Sequence, residues 1–316
     1  MIQTVNSTTK YNGTYTVLVT PFNDDNTINY NDIDKWIQMQ LKSNVTGLVL
    51  LGTTSESPTL SRDEQLSIVK FVHEKNHSSQ NNKFLVVGVG GNNTIETLEF
   101  AKMCKHYCDG FMVTVPSYNK PTQNGILKHF ETICKDDDIK HYPIILYNVP
   151  SRTGVNMEPK TIKMVYESCK NIVAVKEASG SIDQLIELRT IVPTLTILSG
   201  DDKLILDVMV HGGGGVISVA SNVFPSLVSQ IVNLCLVGDF QKAKQVYYNS
   251  EFPELLKCMF CETNPIPIKF MMMKLGIYTN DNMRLPMTQL SSEKHDIVSS
   301  ALFNTNNKYE RALFKI

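Results

Sequence analysis

The apolar run NIVAVK (171–176) ends in a lysine, and the residues behind it, EASG (177–180), read as a turn. An ammonium at the end of a buried run must be paired, be held neutral, or do chemistry. A lysine desolvated among apolar neighbours has a lowered pKa, so part of it is the free amine that attacks a ketone and forms a Schiff base. The bland alternative packs the stem of Lys176 and sends its head to solvent or to a carboxylate such as Glu177. Its company favours chemistry. Tyr147, Thr53 and Tyr118 bring hydroxyls suited to carrying protons to and from an iminium, although Tyr147 alone would read as a core aromatic. Arg152, in a turn between Pro150 and Gly154, is either a solvated loop arginine or a planar fork for a carboxylate. The Thr53–Thr54 pair is either a plain turn or a set of hydroxyl and N–H donors for a second carboxylate.

Each of these residues lies at or just after a short apolar run. Eight such runs are present, at 14–20, 46–52, 83–90, 110–115, 143–149, 171–176, 195–200 and 215–220. Most are near-continuously apolar, the pattern of parallel strands covered on both faces. Helical spacing fills the intervals. Asn31 is the expected cap of the first helix, Ser61 and Glu64 have capping-box spacing, and Pro159 opens the fifth helical segment. Eight β-then-α units predict a (β/α)₈ barrel over residues 1–235, with an open doubly wound sheet as the alternative. Only helical patterns follow residue 222, so a C-terminal helical extension is expected over 236–316. In such a barrel the chemistry sits at the C-terminal ends of the strands. That rule adds Gly200 and Asp201 after the seventh run, and Ile217 and Ser218 in the eighth.

Thirty Lys and Arg against thirty-one Asp and Glu give a net charge of −1. This lacks the positive excess of a nucleic-acid binder, so small-molecule substrates are expected, with no nucleic-acid partner. No run approaches the ~18 apolar residues of a membrane span, and MIQTVNSTTKYN (1–12) has no signal-type apolar segment, so a cytoplasmic location is expected. Seven scattered cysteines read as reduced thiols. Cys258 and Cys261 have CxxC spacing without a second pair, and Cys104 and Cys108 flank His106; both pairs read as thiols rather than zinc ligands. HGGGG (211–215) lacks a GxSxG elbow elsewhere and reads as a flexible lead into the eighth strand. GVGGNN (88–93) lacks the third glycine of a dinucleotide site. The methionines at 271–273 read as core.

Five segments in order, GTTSESPTL, YNVPSRTG, VAVKEASG, GGGGVISVASN and NPIPIK, resemble the dihydrodipicolinate synthases of the class I aldolase superfamily, which includes N-acetylneuraminate lyase. The likeness runs from about residue 11 to 300. It implies a (β/α)₈ barrel with a helical extension, assembled as a homotetramer of tight dimers. The implied reaction needs no cofactor: Lys176 forms a Schiff base with pyruvate, whose enamine attacks L-aspartate 4-semialdehyde to give the cyclic precursor of diaminopimelate and lysine. By the same likeness Tyr147 donates and accepts protons, and Thr53 links it to Tyr118 from the adjacent subunit. Thr54 holds the pyruvate carboxylate, Arg152 binds the semialdehyde, and Gly200 and Ile217 line the site mainly through backbone. Arg152 argues against the sialic-acid and sugar-acid aldolases, which usually lack a basic residue there. A non-catalytic ligand-binding barrel is the third reading. In lysine-inhibited relatives an effector pocket uses an asparagine and a glutamate, matched here by Asn92 and Glu96. The histidines of that pocket are replaced by Arg62 and Gln65 and its tyrosine by Ser117, which implies weak or absent feedback.

Overall fold

Near-continuous apolar strands need cover on both faces, and the chain supplies it by closing the sheet on itself. The computed structural model describes residues 10–304. Strands β1 (Gly13–Val17), β2 (Gly47–Leu50), β3 (Phe84–Val89), β4 (Gly110–Thr114), β5 (Ile144–Asn148), β6 (Ile172–Glu177), β7 (Thr196–Ser199) and β8 (Gly215–Ser218) form a closed barrel in chain order. All are parallel, and β8 pairs back onto β1. Every apolar run of the sequence became a strand, and the open-sheet alternative falls.

Helices α1 (Tyr30–Lys42), α2 (Arg62–His77), α3 (Thr94–Cys104), α4 (Gln123–Cys134), the single turn α5 (Pro150–Thr153), α6 (Pro159–Ser168), α7 (Ile182–Ile191), α8 (Ile205–Val210) and α9 (Pro225–Leu236) follow the strands. Their apolar faces and the outward strand residues share one layer of core, including Leu48, Leu85, Phe111, Leu146, Val175 and Ile197. A second, smaller core fills the barrel interior with Tyr15, Val17, Val49, Val86, Met112, Ile145, Leu198 and Ile217. Ser61 and Glu64 form the expected capping box on α2. The first cap differs from expectation: Asn29, not Asn31, accepts the Asp32 N–H at 3.1 Å and opens α1. Tyr30 is therefore already helical, and Asn31 sits in the first turn.

The glycine run before β8 is also not a loose lead. A Cβ on Gly215 would stand 1.9 Å from the Gly13 carbonyl oxygen, so glycine is what allows β8 to meet β1 and the barrel to close.

Among the described residues four helices follow the barrel: α10 (Phe240–Asn249), α11 (Phe252–Met259), α12 (Ile266–Lys274) and α13 (His295–Asn304). Phe252, Leu255, Met271 and Met272 join the same outer core as the barrel helices, so the extension shares the barrel's core. The expected division at 235 and 236 falls in the last turn of α9. Its outer limits, residues 1–9 and 305–316, lie outside the described residues. After α12 the chain returns over the loops behind β1 and β2. There the Tyr278 hydroxyl donates to the Val19 carbonyl, and Arg284 pairs with Glu64 at 2.6 Å. No helix among the described residues is long and apolar enough to cross a membrane.

Candidate active site

Strand periodicity decides where Lys176 points. Side chains alternate between the two faces of a strand, and Ala174 and Ile145 face the barrel interior. Lys176 and Tyr147, two residues further along, face the same way. The register sets Tyr147 directly beside Lys176 across β5 and β6. Lys176 Nζ lies 4.2 Å from the centroid of the Tyr147 ring, with the two residues only 5% and 4% exposed.

Glu177, the carboxylate offered by the bland reading, is on the opposite face. It accepts from Asn148 Nδ2 at 3.2 Å, from Gln184 Nε2 at 3.1 Å and from the Ser179 N–H at 2.6 Å. No ion pair among the described residues includes Lys176. The site therefore offers a buried amine beside a phenol, without a neutralising carboxylate.

Behind β2 the chain makes a single 3₁₀ turn, Thr53–Ser55, ended by Glu56 in the left-handed region at φ 54°. Ser55 pins this turn to β1's loop: its hydroxyl donates to the Leu18 carbonyl at 2.6 Å, and its carbonyl accepts from Thr20 at 2.6 Å. Thr54 is buried and its Oγ1 accepts from Asn264 Nδ2 at 3.0 Å. Thr53 is half-buried and faces a cavity of about 690 Å³, whose wall also includes Thr114, Ser117, Arg152 and Asn264. Arg152, on α5, is exposed and donates from Nη2 to the Asn264 carbonyl at 3.3 Å. Lys176 and Tyr147 are not part of the cavity wall, whereas Thr114, the register partner of Tyr147, is. The open space therefore lies over the strand ends, and the amine sits beside it in the barrel mouth.

Tyr118 is not gathered into this group. It is 85% exposed, held by its N–H to the Thr153 carbonyl at 3.2 Å with φ at 67°. Among the described residues no hydrogen bond joins the hydroxyls of Tyr147, Thr53 and Tyr118 within one chain. Ile217 points into the barrel core. Gly200 donates to the Glu177 carbonyl at 2.8 Å, and a Cβ there would stand 2.5 Å from that of Ala178, so close approach excludes any larger residue.

Asn92, Arg62, Gln65 and Ser117 line the far side of the same cavity. Arg62 lies 4.4 Å over the Phe100 ring and donates to Gln65 at 3.0 Å, while Gln65 in turn donates to the Ser57 and Leu60 carbonyls. Glu96 is outside the wall, exposed at the start of α3 and bonded to Asn93 at 3.0 Å.

The chain matches the model of the dihydrodipicolinate synthetase family over residues 10–305. It belongs to that family. It is 41% identical to the 4-hydroxy-tetrahydrodipicolinate synthase of Endomicrobium trichonymphae over 92% of this chain and 97% of that protein. The crystal structure of dihydrodipicolinate synthase from Aquifex aeolicus superposes with a TM-score of 0.88 at 35% identity, covering 95% of this chain and 100% of that one. A structure described as the first monomeric dihydrodipicolinate synthase variant gives 0.87 at 32% identity, covering 95% and 98%.

Within this dihydrodipicolinate synthetase family member, local sequence pattern did not reveal the roles of three polar groups, two of them buried and Asn264 half-buried. Lys269 of α12 is wholly buried and pairs with Glu56. It also donates to the Asn282 carbonyl at 2.8 Å. Asn264, at the start of the same NPIPIK segment, reaches Thr54. Asp202 accepts from Ser218 Oγ at 2.6 Å and from the Val219 N–H at 2.8 Å, tying the ends of β7 and β8 together; burial pushes its carboxyl up to about 6. A lysine in the otherwise apolar run IPIKFMMM was the one sequence signal for the first of these. Of the two cysteine pairs, Cys258 and Cys261 are half-buried, and burial raises Cys104 to about 12. Among the described residues no group of three or more His, Cys, Asp or Glu could hold a metal ion.

Proposed function

We propose that the protein is a Schiff-base lyase that condenses pyruvate with L-aspartate 4-semialdehyde to 4-hydroxy-tetrahydrodipicolinate, in the cytoplasm and without a cofactor. The observation that carries this reading is Lys176, buried against the Tyr147 ring with no carboxylate to neutralise it, in a family whose named relatives are such synthases. The amine adds to C2 of pyruvate and water leaves, giving an iminium; loss of a C3 proton makes the enamine. The enamine carbon attacks the aldehyde carbon, and the amino group of the semialdehyde then displaces Lys176 from C2, closing the ring and restoring the amine.

Tyr147 carries the protons of these steps, linked through Thr53 to Tyr118 of an adjacent subunit. The outward, exposed setting of Tyr118 supports a role toward a second copy, and the assembly is a homotetramer of dimers. Thr54 holds the pyruvate carboxylate, Arg152 the carboxylate of the semialdehyde, and Gly200 and Ile217 shape the floor. The second carboxylate is the reason for a guanidinium at Arg152 rather than the non-basic residue usual in a sialic-acid lyase.

The test is borohydride reduction in the presence of pyruvate, then turnover. A stable adduct on Lys176, absent in Lys176→Ala, is expected, together with consumption of aspartate semialdehyde. Lack of an adduct would leave only a binding role, and cleavage of sialic acid without use of the semialdehyde would reassign the chain within the superfamily.

A further inference from the structure

Thr54 sits on a turn that the C-terminal extension grips at two points. Asn264 bonds its hydroxyl, and two residues beyond Thr54 the Glu56 carboxylate is buried against Lys269 of α12. The chemistry of the first contact is directional. An amide NH₂ only donates, so Thr54 Oγ1 is the acceptor in the 3.0 Å bond from Asn264 Nδ2, and its own proton is left for another partner. Among the described residues no acceptor takes that proton.

The other half of the amide, Asn264 Oδ1, is buried with no hydrogen-bond partner. A side chain kept for folding alone would have both ends satisfied or would be apolar. Its one side-chain hydrogen bond among the described residues is spent on Thr54, and Asn264 itself stands in the wall of the cavity that Arg152 also lines.

We propose that Asn264 is a positioning residue for the substrate carboxylate: by donating to Thr54 it fixes the threonine rotamer and turns the hydroxyl proton toward the carboxylate of pyruvate. This rests on the reading that Thr54 holds that carboxylate. The backbone carbonyl of the same residue receives Arg152, so a side-chain replacement leaves the semialdehyde arm in place.

The test compares Asn264→Ala with Asn264→Asp in the full chain, each checked for folding by circular dichroism. Alanine removes the donor, and KM for pyruvate is expected to rise about tenfold while KM for the semialdehyde stays within about twofold. Aspartate has the same shape but accepts the threonine proton and adds a charge beside a carboxylate, so at neutral pH its pyruvate KM is expected to rise further, by about fiftyfold or more. As pH falls toward 5 and the introduced carboxyl takes up a proton, it becomes a donor, and that excess over the alanine variant is expected to shrink. A structural role predicts the reverse order, with the isosteric aspartate milder than alanine at every pH. Should alanine fail to fold, Asn264→Ser takes its place in the same ranking. Wild-type protein that forms an adduct on Lys176 but shows aspartate no worse than alanine overturns this inference alone. Wild-type protein that forms no adduct overturns the functional reading and this one with it.

Discussion

Lys176 and Tyr147 occupy one level of the barrel because each lies two residues beyond an inward-facing position on neighbouring strands whose register is matched. A one-residue slip would turn either into the helical layer. Since the phenol rather than a carboxylate is the group beside the amine, Tyr147→Phe is expected to slow pyruvate trapping and condensation by about 10²-fold or more while leaving the thermal midpoint nearly unchanged. Stopped-flow trapping rates and a melting curve check both halves. Arg152 differs in setting: it is exposed at the cavity edge, and among the described residues its side chain's one hydrogen bond goes to the Asn264 carbonyl. Arg152→Ala should raise the KM for the semialdehyde by tenfold or more and leave adduct formation on Lys176 intact; equal loss of both would make its role structural.

The extension is the element whose contribution is least visible from the strands. Lys269 and Glu56 are buried together, and truncating one partner of such a pair typically costs about 3–5 kcal/mol because the other charge is stranded. Lys269→Met should therefore lose several kcal/mol in urea unfolding, and Lys269→Met combined with Glu56→Met should recover most of it. At the rim, the Arg284 hydrogen bond holds the Glu64 carboxyl down to about 2, well below its ordinary 4.5. A depressed carboxyl contributes stability that is complete above 4.5 and is lost as pH falls through its folded value near 2. Glu64→Gln is thus expected to lower the melting temperature at pH 7, with the gap closing by about pH 2. Asp202 has the opposite sign: raised by burial from 3.8 to about 6, it makes stability decline as pH rises between those values.

For the whole molecule, the exposed Tyr118 and the unconnected hydroxyls within one chain mean that the proposed proton relay needs a second copy. Specific activity is expected to fall on dilution in step with dissociation seen by analytical ultracentrifugation; activity that persists in a demonstrated monomer would remove Tyr118 from the relay. The far side of the cavity carries the other prediction. Arg62 and Gln65 stand there, Arg62 stacked on Phe100 and Gln65 committed to backbone carbonyls, and the guanidinium repels an incoming ammonium. Lysine should not reach half inhibition below about 1 mM, the concentration that corresponds to roughly −4 kcal/mol of binding.

The strands, their order and the lysine among them were legible in the sequence, because apolar runs and turn residues are local signals read a few residues at a time. The capping box of α2 was legible for the same reason; Asn29 was missed because Asn29 and Asn31 both offer the same capping chemistry within two positions. Tertiary structure alone decided that Glu177 faces away from Lys176, that Gly215 closes the seam against Gly13, and that Asn264 and Lys269 reach Thr54 and Glu56 across more than two hundred residues of chain. Those contacts depend on how the extension folds back over the barrel mouth, and no local periodicity encodes a distance of that kind.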